Sequence, residues 1–110
     1  MKEVKRPWGL FKQFAFNEKC TVKVIVVNPG EELSLQAHKK RNELWYFFDD
    51  AVVQLNEHKI HVKSGETIEV KKRMKHRVIA EDNVVRFIEI AKGKFDEKDE
   101  IRFEDKYGRK

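Results

Sequence analysis

Gly30-Glu31-Glu32-Leu33-Ser34-Leu35-Gln36-Ala37-His38-Lys39-Lys40-Arg41-Asn42-Glu43 is the stretch that decides how this chain folds. It follows a turn signal, Asn28-Pro29-Gly30, and alternates apolar and polar residues from Leu33 to Gln36, as a half-buried strand does. Residues two apart on a strand point the same way, so Gln36 and His38 share a face. Glu43 opens the next strand, aromatic-rich through Phe48 and closed by Asp49-Asp50, and a short loop returns it to that face. Further on, Gly65-Glu66-Thr67-Ile68-Glu69-Val70-Lys71-Lys72-Arg73-Met74-Lys75-His76 supplies another imidazole after another turn and strand. Gln36, His38, Glu43 and His76 make a mixed nitrogen and oxygen set, which suits a borderline divalent metal with positions left for water or substrate.

Outward from these segments the pattern is strand after short strand. Phe11 to Phe16, Val22 to Val27, Ala51 to Leu55, Lys59 to Val62, Thr67 to Val70, His76 to Ala80 and Val84 to Ile90 each read as strand, with Asn56-Glu57-His58 as a hairpin turn and Glu81-Asp82-Asn83 as a loop. That spacing is expected of an antiparallel sandwich or barrel. The tail changes character: from Lys94 to Lys110 it is dense in charge of both signs, and a short helix packed on the barrel is expected between Phe95 and Glu104.

At 110 residues and 13.2 kDa the expectation is one domain, 1–110. Apolar residues at 40% provide for a core, so disorder is not expected despite 39% charged residues. The 24 basic against 19 acidic residues leave a net charge of +5, which suits an anionic partner without naming one. Cys20 is the only cysteine, which excludes a disulfide framework and any zinc site built on several thiolates. Its position at a strand start, with no basic pair nearby, reads as a small buried apolar residue. The charged N-terminus lacks a signal-type apolar stretch, and runs such as Val24 to Val27 are too short for a membrane, so the expected compartment is the cytoplasm. His58 and His61 read as surface or structural histidines, and Trp8 and Trp45 as packing residues.

The two glycine-led segments resemble the paired motifs of the cupin superfamily. In that resemblance Gln36 stands at the first histidine of the first motif, with His38, Glu43 and, at the closing glycine, Asp50. In the second motif Gly65 and His76 match, while Lys71, Arg73 and Ala80 replace its proline, glycine and asparagine. Three further stretches narrow it: Arg6-Pro7-Trp8-Gly9, the run from Leu33 through Arg41 and Glu43 to Trp45, and Ile101-Arg102-Phe103-Glu104-Asp105-Lys106-Tyr107-Gly108-Arg109. Together they look like the type II mannose-6-phosphate isomerase domain, often the C-terminal part of bifunctional mannose-1-phosphate guanylyltransferases. The replaced Pro and Gly are expected to change the turn before His76.

The resemblance implies an all-β, single-domain cupin, a jelly-roll or double-stranded β-helix barrel with a short C-terminal tail. It implies isomerisation of mannose 6-phosphate and fructose 6-phosphate with a divalent metal, Zn, Mn, Co, Ni or Fe, on Gln36, His38, Glu43 and His76. A base near neutrality and a phosphate cradle complete such a site. Glu89 is the base candidate if the register of its strand turns it inward with Val85 and Phe87. Lys23, alternating with Ile25 and Val27, poses the same question, and Lys23, Arg41 and Arg109 are the candidates for the phosphate. The basic run Lys71 to Arg77 adjoins a ligand and suits anion steering, while the aromatic interleaving of a nucleic-acid patch is missing. The expected partners are a phosphorylated hexose and a second copy in a homodimer, with no nucleic acid and no membrane. The alternatives are a non-catalytic cupin binding a sugar or small anion, and a cupin oxygenase.

Overall fold

The computed structural model describes residues 1–93, 96 and 98–109. Among the described residues eleven strands run in chain order: β1 Lys2–Arg6, β2 Gly9–Gln13, β3 Cys20–Val27, β4 Leu35–Ala37, β5 Asn42–Phe47, β6 Ala51–Leu55, β7 His58–Val62, β8 Thr67–Val70, β9 His76–Ile79, β10 Val85–Lys92 and β11 Ile101–Glu104. A four-stranded sheet ordered β3-β10-β5-β8 faces a five-stranded sheet ordered β11-β4-β9-β6-β7, and β1 pairs with β2 alone. Every pairing between these strands is antiparallel. Among the described residues no helix is long and apolar enough to cross a membrane.

The alternation read in the sequence decides which side chains meet between the sheets. On β10, Val85 and Phe87 are fully buried, and on β5 Trp45 and Phe47 are too; with Val53, Val70 and Val78 they form the core. Phe47 and Phe87 stack with centroids 5.0 Å apart, and Trp45 packs against Phe87 at 5.3 Å, within the range of favourable ring pairs. Phe87 pairs with Ile25 and Phe47 across the ladders, and Glu89 with Lys23 and Trp45. One inward row therefore runs Val85, Phe87, Glu89 on β10 and Val27, Ile25, Lys23 on β3. Val22, Val24 and Val26 are on the opposite, exposed face. The core closes one end of the sandwich, and the polar residues of the same rows line the other.

The tail corrects one expectation. Ile101–Glu104 is a strand on the edge of the five-stranded sheet, where a short helix was expected. Its apolar and polar residues alternate with the period of a strand, Ile101, Arg102, Phe103, Glu104, and β4 offers it an open sheet edge to pair with. Phe95 and Glu97, also within that expected helix, lie outside the described residues. The start of the chain is a hairpin, β1 and β2, and Trp8 lies at its tip with 74% of its surface exposed, where packing was expected. Cys20 is half-buried.

Candidate metal centre

Three loops and strands bring the site together. His38 directly follows the end of β4, the loop from there carries Arg41, and Glu43 is the second residue of β5. Across the molecule His76 opens β9, directly opposite Gln36 of β4 in the ladder. The turn before His76 survives the loss of the motif's glycine. Arg73 stands in that place with a left-handed φ of 65°, a conformation that strains a residue with a Cβ. Its backbone N–H donates to the His38 carbonyl at 2.6 Å, and Met74 N–H to the Lys71 carbonyl at 3.1 Å. The strained turn thus ties the segment before one histidine to the other.

His38, Glu43 and His76 each offer a donor atom, all mutually within 4.8 Å, and all three side chains are buried. The imidazole rings lie 4.9 Å apart. Both histidines have their tautomers fixed from behind. His38 Nδ1 donates to the Asp99 carbonyl at 2.8 Å and His76 Nδ1 to the Met74 carbonyl at 2.9 Å. Carbonyls only accept, so in each neutral ring Nε2 is the unprotonated nitrogen and turns its lone pair toward the centre, where that of His38 accepts from Arg41 Nη2 at 3.1 Å. A neutral imidazole pair with one carboxylate is a donor set for a borderline divalent ion, so these residues fit the metal that the cupin motifs imply.

Glu43 is held by more than the histidines. Its Oε1 accepts the Trp45 indole N–H at 2.9 Å and its Oε2 the Arg41 Nε–H at 2.8 Å. Burial pushes its carboxyl up, but hydrogen bonds from Glu89 and Arg41 and the nearby His76 and His38 outweigh that and hold it below the usual range. Glu89 is its opposite. Burial, then the charge of Glu43, push it up to about 8 against the pull of Lys23 and Arg41, so one carboxyl of the pair is ionised while the other keeps its proton. His76 is driven down to about 4, first by burial.

A cavity of about 390 Å³ adjoins this cluster, lined among others by Lys23, Gln36, Arg41, Glu89 and Arg102. Gln36 opens on it with its amide nitrogen donating to Ser34 Oγ at 3.3 Å. Glu89 and Lys23 therefore face inward, the register that the sequence left open. Arg41 is buried and turned to Glu43 and His38. Arg109 lies elsewhere: it pairs with Asp105 at 2.9 Å and lines a separate groove with Tyr107 and Pro29. The tail brings Lys98, Glu100 and Arg102 to the cavity; Arg102 is opposite Gln36 in the ladder, pairs with Glu100 through Nη2 at 2.7 Å, and has a buried Nε with no partner among the described residues. Its alternation with Ile101 and Phe103 is the signal that identifies it. Asp99, which anchors His38 and caps the Lys39 and Lys40 amides, also lay outside the sequence reading. His58 and His61 are exposed.

Comparison with known proteins agrees with this arrangement. A family model described as mannose-6-phosphate isomerase C-terminal matches residues 1–105. The mannose-1-phosphate guanylyltransferase ManC of Salmonella typhimurium is 35% identical over 111 residues, 98% of this chain and 23% of that protein. The xanthan biosynthesis protein XanB of Xanthomonas campestris pv. campestris is 32% identical over 111 residues, 98% of this chain and 24% of that protein. The chain spans about a quarter of the length of these curated relatives. A conserved protein from Klebsiella pneumoniae with a double-stranded β-helix domain superposes with a TM-score of 0.70, over 84% of this chain and 80% of that one. At 17% identity that likeness bears on the fold alone. The all-β double-stranded β-helix, the glycine-led segments meeting at His38, Glu43 and His76, and the family match over nearly the full length lead to one conclusion: this chain belongs to the mannose-6-phosphate isomerase C-terminal family of cupin domains.

Proposed function

We propose that this domain is a metal-dependent aldose–ketose isomerase interconverting mannose 6-phosphate and fructose 6-phosphate. The observation that carries the proposal is the junction of two features: a buried His38–Glu43–His76 triad, and a polar cavity holding Glu89 and the cations Lys23 and Arg102. The family resemblance supplies the substrate.

A divalent cation on the triad, with Gln36 beside it, would supply Lewis-acid polarisation of the sugar's adjacent oxygens. Everything else is the work of side chains. Glu89 carries the proton in its ionised form, the minor one near neutral pH. It takes the proton from carbon 2 of the open-chain aldose, and that electron pair forms the enediol double bond while the carbon-1 oxygen takes up a proton. Glu89 then returns its proton at carbon 1, and the carbon-2 hydroxyl gives up its own to leave the ketose. No oxidant or reductant enters. A carboxyl pushed up to about 8 is matched to such a proton transfer near neutrality. Lys23, across the ladder from Glu89, favours the ionised form in which Glu89 acts as a base. Arg102 and Lys23 face the cavity with positive charge suited to the 6-phosphate, whose binding energy positions the reacting end. The reading has a direct assay: fructose 6-phosphate formation from mannose 6-phosphate by metal-loaded chain, chelator-stripped chain, His38→Ala and His76→Ala. Turnover by the loaded wild type alone supports it; equal turnover in all four, with the fold intact by circular dichroism, refutes it.

A second reading, a cupin that binds a sugar or small anion without turnover, draws on Arg41, whose guanidinium sits on two of the triad's donor atoms. Saturable binding of mannose 6-phosphate with no product would select it.

A further inference from the structure

Arg41 has only 6% of its side chain exposed, and its position is unusual for a buried cation. Nε donates to Glu43 Oε2 at 2.8 Å and Nη2 to His38 Nε2 at 3.1 Å. Those two acceptors are 3.4 Å apart, and both belong to the trio that would hold a divalent ion. An imidazole nitrogen has one lone pair. While the guanidinium holds that of His38, a metal cannot take it, because the other ring nitrogen is committed to the Asp99 carbonyl. Glu43 is similarly engaged, with Oε1 on the Trp45 indole and Oε2 on Arg41. A guanidinium and a divalent cation so close in a buried site also repel each other.

We propose that Arg41 is a resident counter-cation that competes with the metal for His38 and Glu43. The proposal rests on the reading of the triad as a cation site. In the metal-free chain Arg41 neutralises a carboxylate that would otherwise be buried unpaired, and it keeps two ligands in place. On metal binding it leaves them. It already borders the cavity that holds Gln36, Lys23 and Arg102, so a side-chain rotation carries the guanidinium there, where it adds to the charge facing an anion. Arg41 thereby lowers the metal affinity of a preformed site. A residue that merely supported the ligands would raise it.

The test is cobalt(II) binding to the chelator-stripped chain, read by equilibrium dialysis and by the visible absorption of the bound ion. Wild type, Arg41→Met and His76→Ala are compared. Removing the competitor forfeits two charge-assisted hydrogen bonds that binding must otherwise break, so Arg41→Met should bind about ten- to a hundredfold more tightly. His76→Ala should lose stoichiometric binding. Equal or weaker binding by Arg41→Met overturns the competition and leaves the cation site standing. No stoichiometric binding by wild type or by Arg41→Met overturns both. Because Arg41→Met strips a buried carboxylate of its counter-charge, the wild type is followed as well, through the nitrogen-15 resonance of Arg41 Nε–H. It should be protected from exchange in the stripped chain, then shift and lose protection on equimolar zinc(II). A resonance unmoved at saturation overturns the proposal without any variant.

Discussion

Replacing Glu43 by Gln keeps the volume of the side chain and removes one charge from the middle of the site. The carboxylate is wholly enclosed, Arg41 beside it is nearly so, and their nitrogen and oxygen are 2.8 Å apart. The amide of the Glu43→Gln variant would still present its oxygen to either Arg41 or Trp45, but not one to each with full charge. The guanidinium would lose the charge of this carboxylate, and breaking such a buried pair from one side costs roughly 3 kcal/mol or more. Relief of repulsion on Glu89 returns little of this, because Glu89 already holds its proton near neutral pH. In a domain of this size roughly 3 kcal/mol corresponds to a fall in Tm of about 10–20 °C. The assay is a thermal melt by circular dichroism in the presence of chelator, so that metal stabilisation does not enter. Arg41→Met with Glu43→Gln should destabilise less than the sum of the two single changes, since each leaves the other's partner exposed to the same loss. A melt of Glu43→Gln indistinguishable from wild type, or strictly additive behaviour in the double variant, would refute the buried pair.

Other expectations follow from the same structure. Arg73→Gly should raise stability by about 1 kcal/mol, because glycine adopts the left-handed φ of 65° without strain; a lower Tm would show that the arginine side chain holds the turn. Glu89 binds its proton more tightly folded, at about 8, than at its ordinary 4.5, so its stabilisation is whole at low pH and is lost as pH rises through 8. His76, neutral and driven to about 4 from 6.5, opposes this only below 6.5, where falling pH destabilises the fold. From pH 6.5 to 8 the metal-free chain should therefore lose up to about 2 kcal/mol, and Glu89→Gln should flatten that slope in urea titrations. A wild-type slope unchanged by Glu89→Gln would place the cause elsewhere. Arg102→Ala should raise KM for mannose 6-phosphate about tenfold or more, while Arg109→Ala, which lines a separate groove, changes it little. The reverse order in steady-state kinetics would return the phosphate to Arg109.

The strands were legible because β-branched and aromatic residues alternate with polar ones between strong turn signals, and Val22 to Val27, Ala51 to Leu55 and Thr67 to Val70 are strands as read. That His38 and Glu43 approach each other was legible through local spacing, whereas the arrival of His76 followed from the resemblance to the paired cupin motifs. What escaped depends on contacts remote in sequence. The anchoring of His38 by Asp99 spans 61 positions. The inward turn of Arg41, a residue type that is ordinarily solvated, follows from the carboxylate two positions on being buried, which its sequence neighbours do not disclose. Ile101 to Glu104 alternates like the other strands, but its charge obscured the pattern until its pairing with β4 placed Arg102 against Gln36. Trp8 misled in the other direction, because a hairpin tip at Pro7-Trp8-Gly9 carries it away from the core.

Isomerisation at the triad has a signature that binding alone cannot produce. Metal-loaded chain is incubated with mannose 6-phosphate in deuterium oxide and the sugar phosphates are followed by proton NMR. Proton transfer by Glu89 should yield fructose 6-phosphate that carries solvent deuterium at carbon 1, with matching exchange at carbon 2 of the recovered substrate. The same preparation of His76→Ala should show neither. Wild type that holds its metal stoichiometrically and returns mannose 6-phosphate with neither product nor deuterium at carbon 2 would contradict the isomerase.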